Sequence, residues 1–228
     1  MTTLPDIHQQ IISCDRCDRL RSYCARIAEE KRAAYRDEIY WGKPVPDFGD
    51  PRARVLVLGL APAAHGANRT GRVFTGDGIG GSGDFLMRAM HATGFATIPT
   101  SQRADDGLRL RDAYIAAVVR CAPPDNKPTA GEIAACEPHL FAEAAALKSV
   151  RVIVCLGRVA FDAAWRILAS RGVPSRPKPT FKHGLVHEPV VGPAIVASYH
   201  PSRQNTNTGK LSGAMLESVF RRVRAFLN

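Results

Sequence analysis

Three short segments of the sequence carry several of the side chains His, Asn, Asp, Lys and Arg, which bind anions, move protons or stabilise charge, among small residues and prolines. They are GLAPAAHGANRTGRVFTGD (residues 59–77), CAPPDNKPT (121–129) and HPSRQNTNTG (200–209). Small residues let a ligand approach the backbone, whose N–H groups can bind anions. Each segment alone could be a turn. The glycine-rich one is also a weak signal, because it is neither G-x-G-x-x-G nor a P-loop. Together they predict a polar site built from three loops.

The six cysteines are a second group with chemical potential. The pair at positions 14 and 17 forms a C-x2-C motif, and Cys121 and Cys136 are separated by a loop and a helical turn. Four thiolates could hold a tetrahedral zinc or an iron–sulfur cluster, while the alternative is that Cys121 and Cys136 are core residues. Cys155 lies in an apolar run and is expected in the core. Cys24 is either a fifth ligand candidate or a helix residue.

Four short, nearly continuous apolar runs predict the strands that position these groups. They are Arg54–Leu60, Tyr114–Val119, Val150–Leu156 and Ala194–Tyr199. Strands buried on both faces are typical of a parallel sheet, and helical patterns between them imply βαβ crossovers. We therefore expect an α/β fold, a three-layer α/β/α sandwich around a central, mostly parallel four-stranded sheet.

Apolar residues at helical spacing predict the main helices. Thr129–Leu147 starts with Thr129 followed by Glu132, the pattern of a capping box. Ala160–Ser170 and Leu211–Leu227 each carry one apolar stripe. In open parallel sheets ligands bind at the carboxyl ends of the strands. Because each polar segment follows a predicted strand, we expect the three to meet at that edge.

The composition limits the class of protein. The 228 residues include 31 Lys and Arg against 21 Asp and Glu, a net charge of +10 that favours a polyanionic partner such as nucleic acid. No apolar run approaches the roughly 20 residues of a membrane-spanning helix, and the amino terminus lacks a secretory pattern. We expect a monomeric, cytoplasmic protein with a single domain over residues 1–228 and no membrane association.

The three polar segments resemble the motifs of the uracil-DNA glycosylase superfamily. They are most similar to family 5, the iron–sulfur uracil-DNA glycosylases also called type b, over residues 14–209. The resemblance implies a monofunctional DNA repair enzyme that flips a damaged base out of DNA and hydrolyses its N-glycosidic bond, leaving an abasic site. Its substrates would be uracil and, from the range associated with the family, other deaminated bases such as hypoxanthine or xanthine.

The resemblance also implies a cofactor. Cys14, Cys17, Cys121 and Cys136 match the four ligands of the family's [4Fe–4S] cluster. Such a cluster would fasten an N-terminal arm, residues 1–50, to the rest of the domain.

Base removal requires a carboxylate near the sugar, because positive charge develops on the deoxyribose as the bond breaks. Ala61 and Ala63, expected to contact the substrate, stand in the loop where related families place Asp, Glu or Asn. Asp77 matches the substitute proposed for family 5, and the resemblance implies that it stabilises the oxocarbenium-like state and orients water. A turn aspartate before Gly78 is the structural alternative.

Three further side chains match family positions that contact the base. Phe74 would stack on the flipped base, His200 would donate a hydrogen bond to the leaving pyrimidine, and Asn126 would read the base edge. A core anchor, a loop-capping histidine and a turn asparagine are the alternatives. Ala117 stands where a sibling family carries a uracil-reading Asn, which favours a wider pocket.

A base in duplex DNA has to be flipped out, and a side chain fills the gap. Arg203 and Gln204 follow the His-Pro-Ser motif where the superfamily inserts this wedge, and basic residues are expected to follow the phosphates. The candidate DNA contacts are Lys182, His183, Ser202, Arg203, Gln204 and Asn205.

Two other functions remain open from the sequence alone. One is a non-catalytic nucleic-acid-binding module stabilised by zinc, which the charge and the cysteines also allow. The other is a purine-lesion glycosylase with little activity on uracil, which the alanine-rich pocket allows. Absorption near ~400 nm indicates iron–sulfur and separates a cluster protein from a colourless zinc module.

Overall fold

The computed structural model of the chain describes residues 2–174 and 177–227. The strands of these residues are β1 (Phe48–Gly49), β2 (Val55–Gly59), β3 (Ala113–Ala117), β4 (Val152–Leu156), β5 (Val186–His187) and β6 (Ala194–Ser198). The α-helices are α1 (Leu4–Ile12), α2 (Asp18–Glu30), α3 (Ala67–Thr70), α4 (Ser82–Ala92), α5 (Ala130–Ala146), α6 (Arg158–Ser170), α7 (Arg203–Asn207) and α8 (Gly213–Ala225).

The strands form one mixed sheet in the order β1-β3-β2-β4-β6-β5. The four central strands are parallel, with Val57 of β2 paired to Ile115 on one side and Val154 on the other. Every residue of these four strands is buried, which explains their nearly continuous apolar sequence. The prediction of a mostly parallel α/β sheet is confirmed.

Two short edge strands make the sheet wider than the predicted four strands. β1 pairs with β3 and β5 pairs with β6, both antiparallel. Each is two residues long and half-buried, so neither carries an apolar run that could indicate a strand.

Helices cover both faces of the sheet. Alternate residues of β2 show the division: Leu56 and Leu58 belong to the core shared with α2, α5 and α6, whereas Val55 and Val57 belong to the core shared with α4 and α8. Helix α1 packs on α5. This arrangement is the predicted three-layer sandwich.

Helix α5 begins as the sequence predicts. The Thr129 hydroxyl accepts a hydrogen bond from the Glu132 backbone N–H at 3.2 Å, and the Glu132 carboxylate accepts one from the Thr129 N–H at 2.7 Å. Arg19 of α2 donates two hydrogen bonds to the same carboxylate at 2.7 and 2.8 Å. The capping box is therefore also a tie between α5 and the N-terminal helices.

Helices α1, α3, α4 and α7 were not predicted from the sequence, and α2 agrees with the alternative that Cys24 is a helix residue. Helices α3 and α7 lie within the polar segments and α4 begins at the end of the glycine-rich stretch, where the composition is more typical of loops. Within the described residues, no helix has the combined length and apolarity that a membrane crossing would require.

Candidate active site and cysteine site

A cleft of about 630 Å³ lies at the carboxyl ends of the central strands. Its walls come from the segments after β2, β3 and β6, so the three polar segments do meet at one edge of the sheet. The predicted site residues that line it are Ala61, Ala63, Phe74, Asp77, Asn126, His200, Ser202, Arg203 and Gln204.

Asp77 lies in the cleft wall with its carboxylate packed against backbone. A Cβ at Gly66 would stand 1.9 Å from its Oδ1 atom, so only glycine fits there without displacing the carboxylate. Burial raises the pKa of Asp77 to about 6, while a hydrogen bond from the Gly83 backbone N–H and the charge of Arg203 act in the opposite direction. The carboxyl is therefore mostly ionised at pH 7 and titrates within one to two pH units of neutrality.

His200 and Phe74 stack on each other in the same cleft. Their ring centroids are 5.8 Å apart and their planes differ by 28°. Burial lowers the pKa of His200 to about 4, so its imidazole is neutral at pH 7 and retains one N–H donor. The Asn205 amide donates to the His200 carbonyl at 2.8 Å and fixes this turn.

The Phe74 ring lies directly over the end of β2. A Cβ at Gly59 would stand 2.6 Å from Phe74 Cε2, so the glycine that ends the strand makes room for the ring. Phe74 has φ +51°, a left-handed conformation that is unfavourable for an aromatic residue. Such strain occurs at functional sites when the surroundings hold it in place.

Two buried arginines provide that support in the Asp77 loop, residues 61–83. Arg69 donates to the His65 carbonyl at 3.0 Å and to the Gly76 carbonyl at 2.9 Å. Arg72 donates to the Thr75 hydroxyl and to the Asp106 carboxylate, both at 2.8 Å. Sequence reasoning missed this role, because no pattern distinguishes a buried structural arginine from an exposed one that binds phosphate.

Asn126 reaches the cleft from a strained turn after β3. Asp125 and Asn126 both have left-handed backbone, with φ +54° and +56°. Asn and Asp adopt this conformation more readily than other side chains. Ala117, at the end of β3, and Lys127 also line the cleft.

The candidate DNA contacts divide into two groups. Ser202 caps α7, whose first residues Arg203 and Gln204 are exposed on the cleft rim. Lys182 and His183 do not line the cleft; Lys182 is exposed, and His183 stacks on Tyr199 with a centroid distance of 5.3 Å. Asn205 is also outside the lining and holds the turn of His200 instead.

The cysteine site, defined as Cys14, Cys17, Cys121 and Cys136, joins the segment between α1 and α2 to the segment after β3 and to α5. Burial, followed by the charges of the other three thiols, raises the pKa of Cys17 to about 11. The Arg120 backbone N–H donates to Cys136 Sγ at 3.4 Å. All six cysteines of the chain are free thiols.

The other two cysteines have different surroundings. Cys155 is fully buried within β4. The Cys24 thiol is 3.6 Å from the Ala122 carbonyl and shares a hydrogen bond with Cys121, which is the main cause of the raised pKa of Cys121.

The chemistry of the cysteine site fits an iron–sulfur cluster. In the described part of the chain, no three His, Cys, Asp or Glu side chains stand in the geometry of a metal site. The four thiols nevertheless form an all-sulfur donor set, the set that iron–sulfur clusters use. Burial raises the pKa of Cys17 and of Cys136, and bound iron would stabilise their thiolates.

The chain is similar to known proteins over most of its length. The profile of the family described as the uracil DNA glycosylase superfamily matches residues 46–224. The type-5 uracil-DNA glycosylase of Mycobacterium leprae is 46% identical over 220 residues, which cover 96% of this chain and 93% of the relative. That of Thermus thermophilus is 47% identical over 211 residues, 92% of either chain. The type-4 uracil-DNA glycosylase of Archaeoglobus fulgidus is 30% identical over 161 residues, 70% of this chain and 62% of the relative. The chain belongs to the uracil DNA glycosylase superfamily and, within it, to the type-5 proteins.

Proposed function

We propose that this chain is a DNA repair glycosylase that hydrolyses the N-glycosidic bond of uracil in DNA and leaves an abasic site. The observation that carries the proposal is one cleft that holds the Asp77 carboxylate, the neutral His200 imidazole and the Phe74 ring. The names of the type-5 relatives, which are uracil-DNA glycosylases, support uracil as the base.

The flipped nucleotide would place its base in the cleft. Phe74 offers an aromatic face for stacking, and Asn126 offers an amide that can pair with the base edge. Because Ala61, Ala63 and Ala117 leave this wall unobstructed by long side chains, we further propose that larger deaminated bases, hypoxanthine and xanthine, are also removed. Measuring base release from three duplexes that differ only in this base tests the extension, and release of uracil alone would contradict it.

Asp77 would act on the sugar side of the bond. Its ionised carboxylate stabilises positive charge on the deoxyribose and accepts a proton from water. The water oxygen bonds to C1′, and the C1′–N1 bond breaks with its electron pair going to the base. The packing of Gly66 against the carboxylate holds it in place for both roles.

His200 would act on the base side. Its neutral imidazole donates an N–H to the oxygen of the departing base, where negative charge develops. Burial keeps the ring neutral at physiological pH, so this hydrogen bond is available without a protonation step.

The decisive experiment measures uracil release from a labelled duplex under single-turnover conditions. We expect the wild-type protein to generate alkali-labile abasic sites and Asp77→Asn to lose this activity, because the amide neither accepts the proton nor carries charge. Asp105→Asn is the matched control, since the Asp105 side chain is 72% exposed and pairs with Arg103 on the surface. An inactive wild-type protein would contradict the proposal.

We also propose that Cys14, Cys17, Cys121 and Cys136 hold a [4Fe–4S] cluster. Held by these four cysteines, a cluster would fasten the N-terminal arm, residues 1–50, to the segment after β3 and to α5, and its contribution would be structural. The location of the cysteines at a different place from the cleft lining supports this division.

Optical absorption and metal analysis test the cluster. The purified protein should absorb near ~400 nm and contain iron and sulfide. Cys17→Ser should lose the absorption and lower the melting temperature, whereas Cys155→Ala should keep the absorption because Cys155 lies in β4. A colourless wild-type protein that contains zinc and releases no base would instead identify the nucleic-acid-binding module.

A further inference from the structure

An exposed apolar side chain lies in the turn between Asp77 and Ser82, two residues of the cleft lining. Ile79 follows Asp77 by two residues, and 92% of its surface is exposed. Ile39, Val190 and Val191 are exposed too. Val190 and Val191 precede β6 and so lie at the opposite end of that strand from the cleft, and Ile39 lies in the segment between α2 and β1, which contributes no residue to the cleft lining. An isolated exposed isoleucine needs no explanation by itself. The position of Ile79 beside the cleft and the structure of the turn that carries it do need an explanation.

Ile79 occupies the corner of a tight turn. The Gly78 carbonyl accepts a hydrogen bond from the Gly81 N–H at 2.9 Å, and Gly80 has φ +70°, as the third residue of a type II turn requires. The residues on both sides of Ile79 are glycines, so no neighbouring side chain along the turn covers it. The turn therefore presents one apolar side chain to solvent.

The turn is held in place by the buried side chain of Asp84 in α4. The Gly80 N–H donates to Oδ2 of Asp84 at 3.1 Å, and Asp84 is 3% exposed. Oδ1 of Asp84 accepts from the Ser101 N–H at 2.9 Å and from the Gln102 amide at 2.6 Å. Because these hydrogen bonds hold the backbone of the turn, the turn loses little conformational freedom when the Ile79 side chain inserts into a partner.

Two guanidinium groups flank the turn. Arg203 lies 3.3 Å from where a Cβ would stand on Gly78, and Arg88 lies 3.8 Å from the corresponding point on Gly80. Both side chains are exposed, and Arg203 also donates to the Asp77 carbonyl at 3.1 Å. An apolar tip between two cations matches a duplex, whose apolar base stack lies between two phosphate backbones.

We propose that Ile79 enters the base stack when the target nucleotide is flipped into the cleft, with Arg88 and Arg203 contacting the phosphates around it. The inference rests on the proposed glycosylase function. Apolar side chains unstack base steps in many proteins that deform DNA. Ile79 suits this role better than Gln204, because an amide loses hydrogen bonds to water when it enters an apolar stack.

The test compares Ile79→Ala on double-stranded and single-stranded uracil DNA of one sequence. Only the duplex requires unstacking, so we expect the single-turnover rate on the duplex to fall about tenfold and the rate on the single strand to stay within about twofold. Ile79→Leu should restore the duplex rate. Val190→Ala, which shortens an equally exposed aliphatic side chain away from the cleft, should change neither rate.

A second measurement does not depend on cleavage. With 2-aminopurine next to the target, fluorescence rises when the stack opens, and Ile79→Ala should reduce this rise on binding. Equal fluorescence in wild type and variant, or equal rate losses on both substrates, would overturn the role of Ile79. Failure of the wild-type protein to release uracil from either substrate would instead overturn the proposed function.

Discussion

The Asp77 loop and the cysteine site both gather polar residues from distant parts of the chain, yet they are built in different ways. In the loop, Arg69 pairs with the half-exposed Glu38 and Arg72 with Asp106. Both arginines also bind carbonyl or hydroxyl groups of the loop, and the Asp77 carboxylate lies in the cleft wall. Beside the cysteine site, Arg120 is fully buried and is consumed by ion pairs. The difference indicates that access to the cleft, rather than residue type, distinguishes a charged side chain that is available for chemistry from one that stabilises the fold.

The buried ion pairs connect several elements. Arg120 contacts Asp47, next to β1, and Glu143 of α5, with all three side chains no more than 1% exposed. His8 of α1 lies 2.7 Å from the Tyr114 hydroxyl and 3.5 Å from Glu143. Since Arg120 adjoins Cys121 and its N–H binds Cys136, this network supports two of the proposed cluster ligands.

The largest effect is expected for Asp77→Asn, with a rate loss of about a thousandfold. The stability of the Asp77→Asn protein should rise although its rate falls. The folded pKa of about 6 lies above the ordinary value of 3.8, so ionisation above pH 4 opposes folding. Removing that charge should raise the free energy of unfolding at pH 7 by on the order of 2 kcal/mol.

Single-turnover kinetics and urea unfolding measure the two effects of Asp77→Asn separately. If activity and stability fell together, Asp77 would be a scaffold residue of the turn before Gly78, and the contrast between the two regions would disappear.

Arg120→Leu should lower the stability and leave the rate nearly unchanged. It leaves two buried carboxylates without their cation, which costs about 3 kcal/mol of unfolding free energy. The rate per folded molecule should remain within about twofold, because Arg120 does not line the cleft. Urea unfolding together with active-site titration gives both values.

Arg103→Leu is the matched control for Arg120→Leu. Arg103 pairs with Asp105 on the surface, and its side chain is 74% exposed, so its replacement should leave the melting temperature unchanged. Equal destabilisation by the two variants would show that the buried ion pairs have no special weight.

Gly66→Ala tests the Asp77 loop without removing a polar group. The added methyl would collide with the Asp77 carboxylate and displace it, and we expect a rate loss of about 30-fold. Gly213→Ala is the control, because a Cβ at Gly213 has no neighbour within 4 Å. A fully active Gly66→Ala protein with normal pH dependence would show that the position of the carboxylate is not fixed by this contact.

The sequence was sufficient for the central strands and the start of α5. Their signals are local: a run of apolar residues marks a strand buried on both faces, and Thr129 with Glu132 marks a capping box. The convergence of the polar segments also followed, since parallel strands place their carboxyl ends at one edge.

What the sequence did not predict depends on long-range packing. The buried positions of Arg69, Arg72 and Arg120 depend on partners brought together by the fold, and arginine in a basic chain suggests DNA contacts first. Ile79 was overlooked because an isoleucine between glycines has no periodic pattern. Its exposure is visible only once the turn and the cleft are in place.

The smallest expected effect is an acid limb in the rate, and it distinguishes the two regions without any change to the scaffold. With the pKa of Asp77 at about 6, the ionised fraction falls from roughly nine-tenths at pH 7 to roughly one-tenth at pH 5, so the rate should fall about tenfold. Over the same range His200 stays neutral, because burial holds its pKa at about 4. Protonation of Asp77 favours the folded state, so its titration cannot lower the rate by unfolding the protein. His200→Asn should therefore keep the limb at a lower overall rate, whereas the residual activity of Asp77→Asn should be flat from pH 5 to 7. A limb that persists in Asp77→Asn would assign the titration to another group and remove Asp77 from the proton transfer.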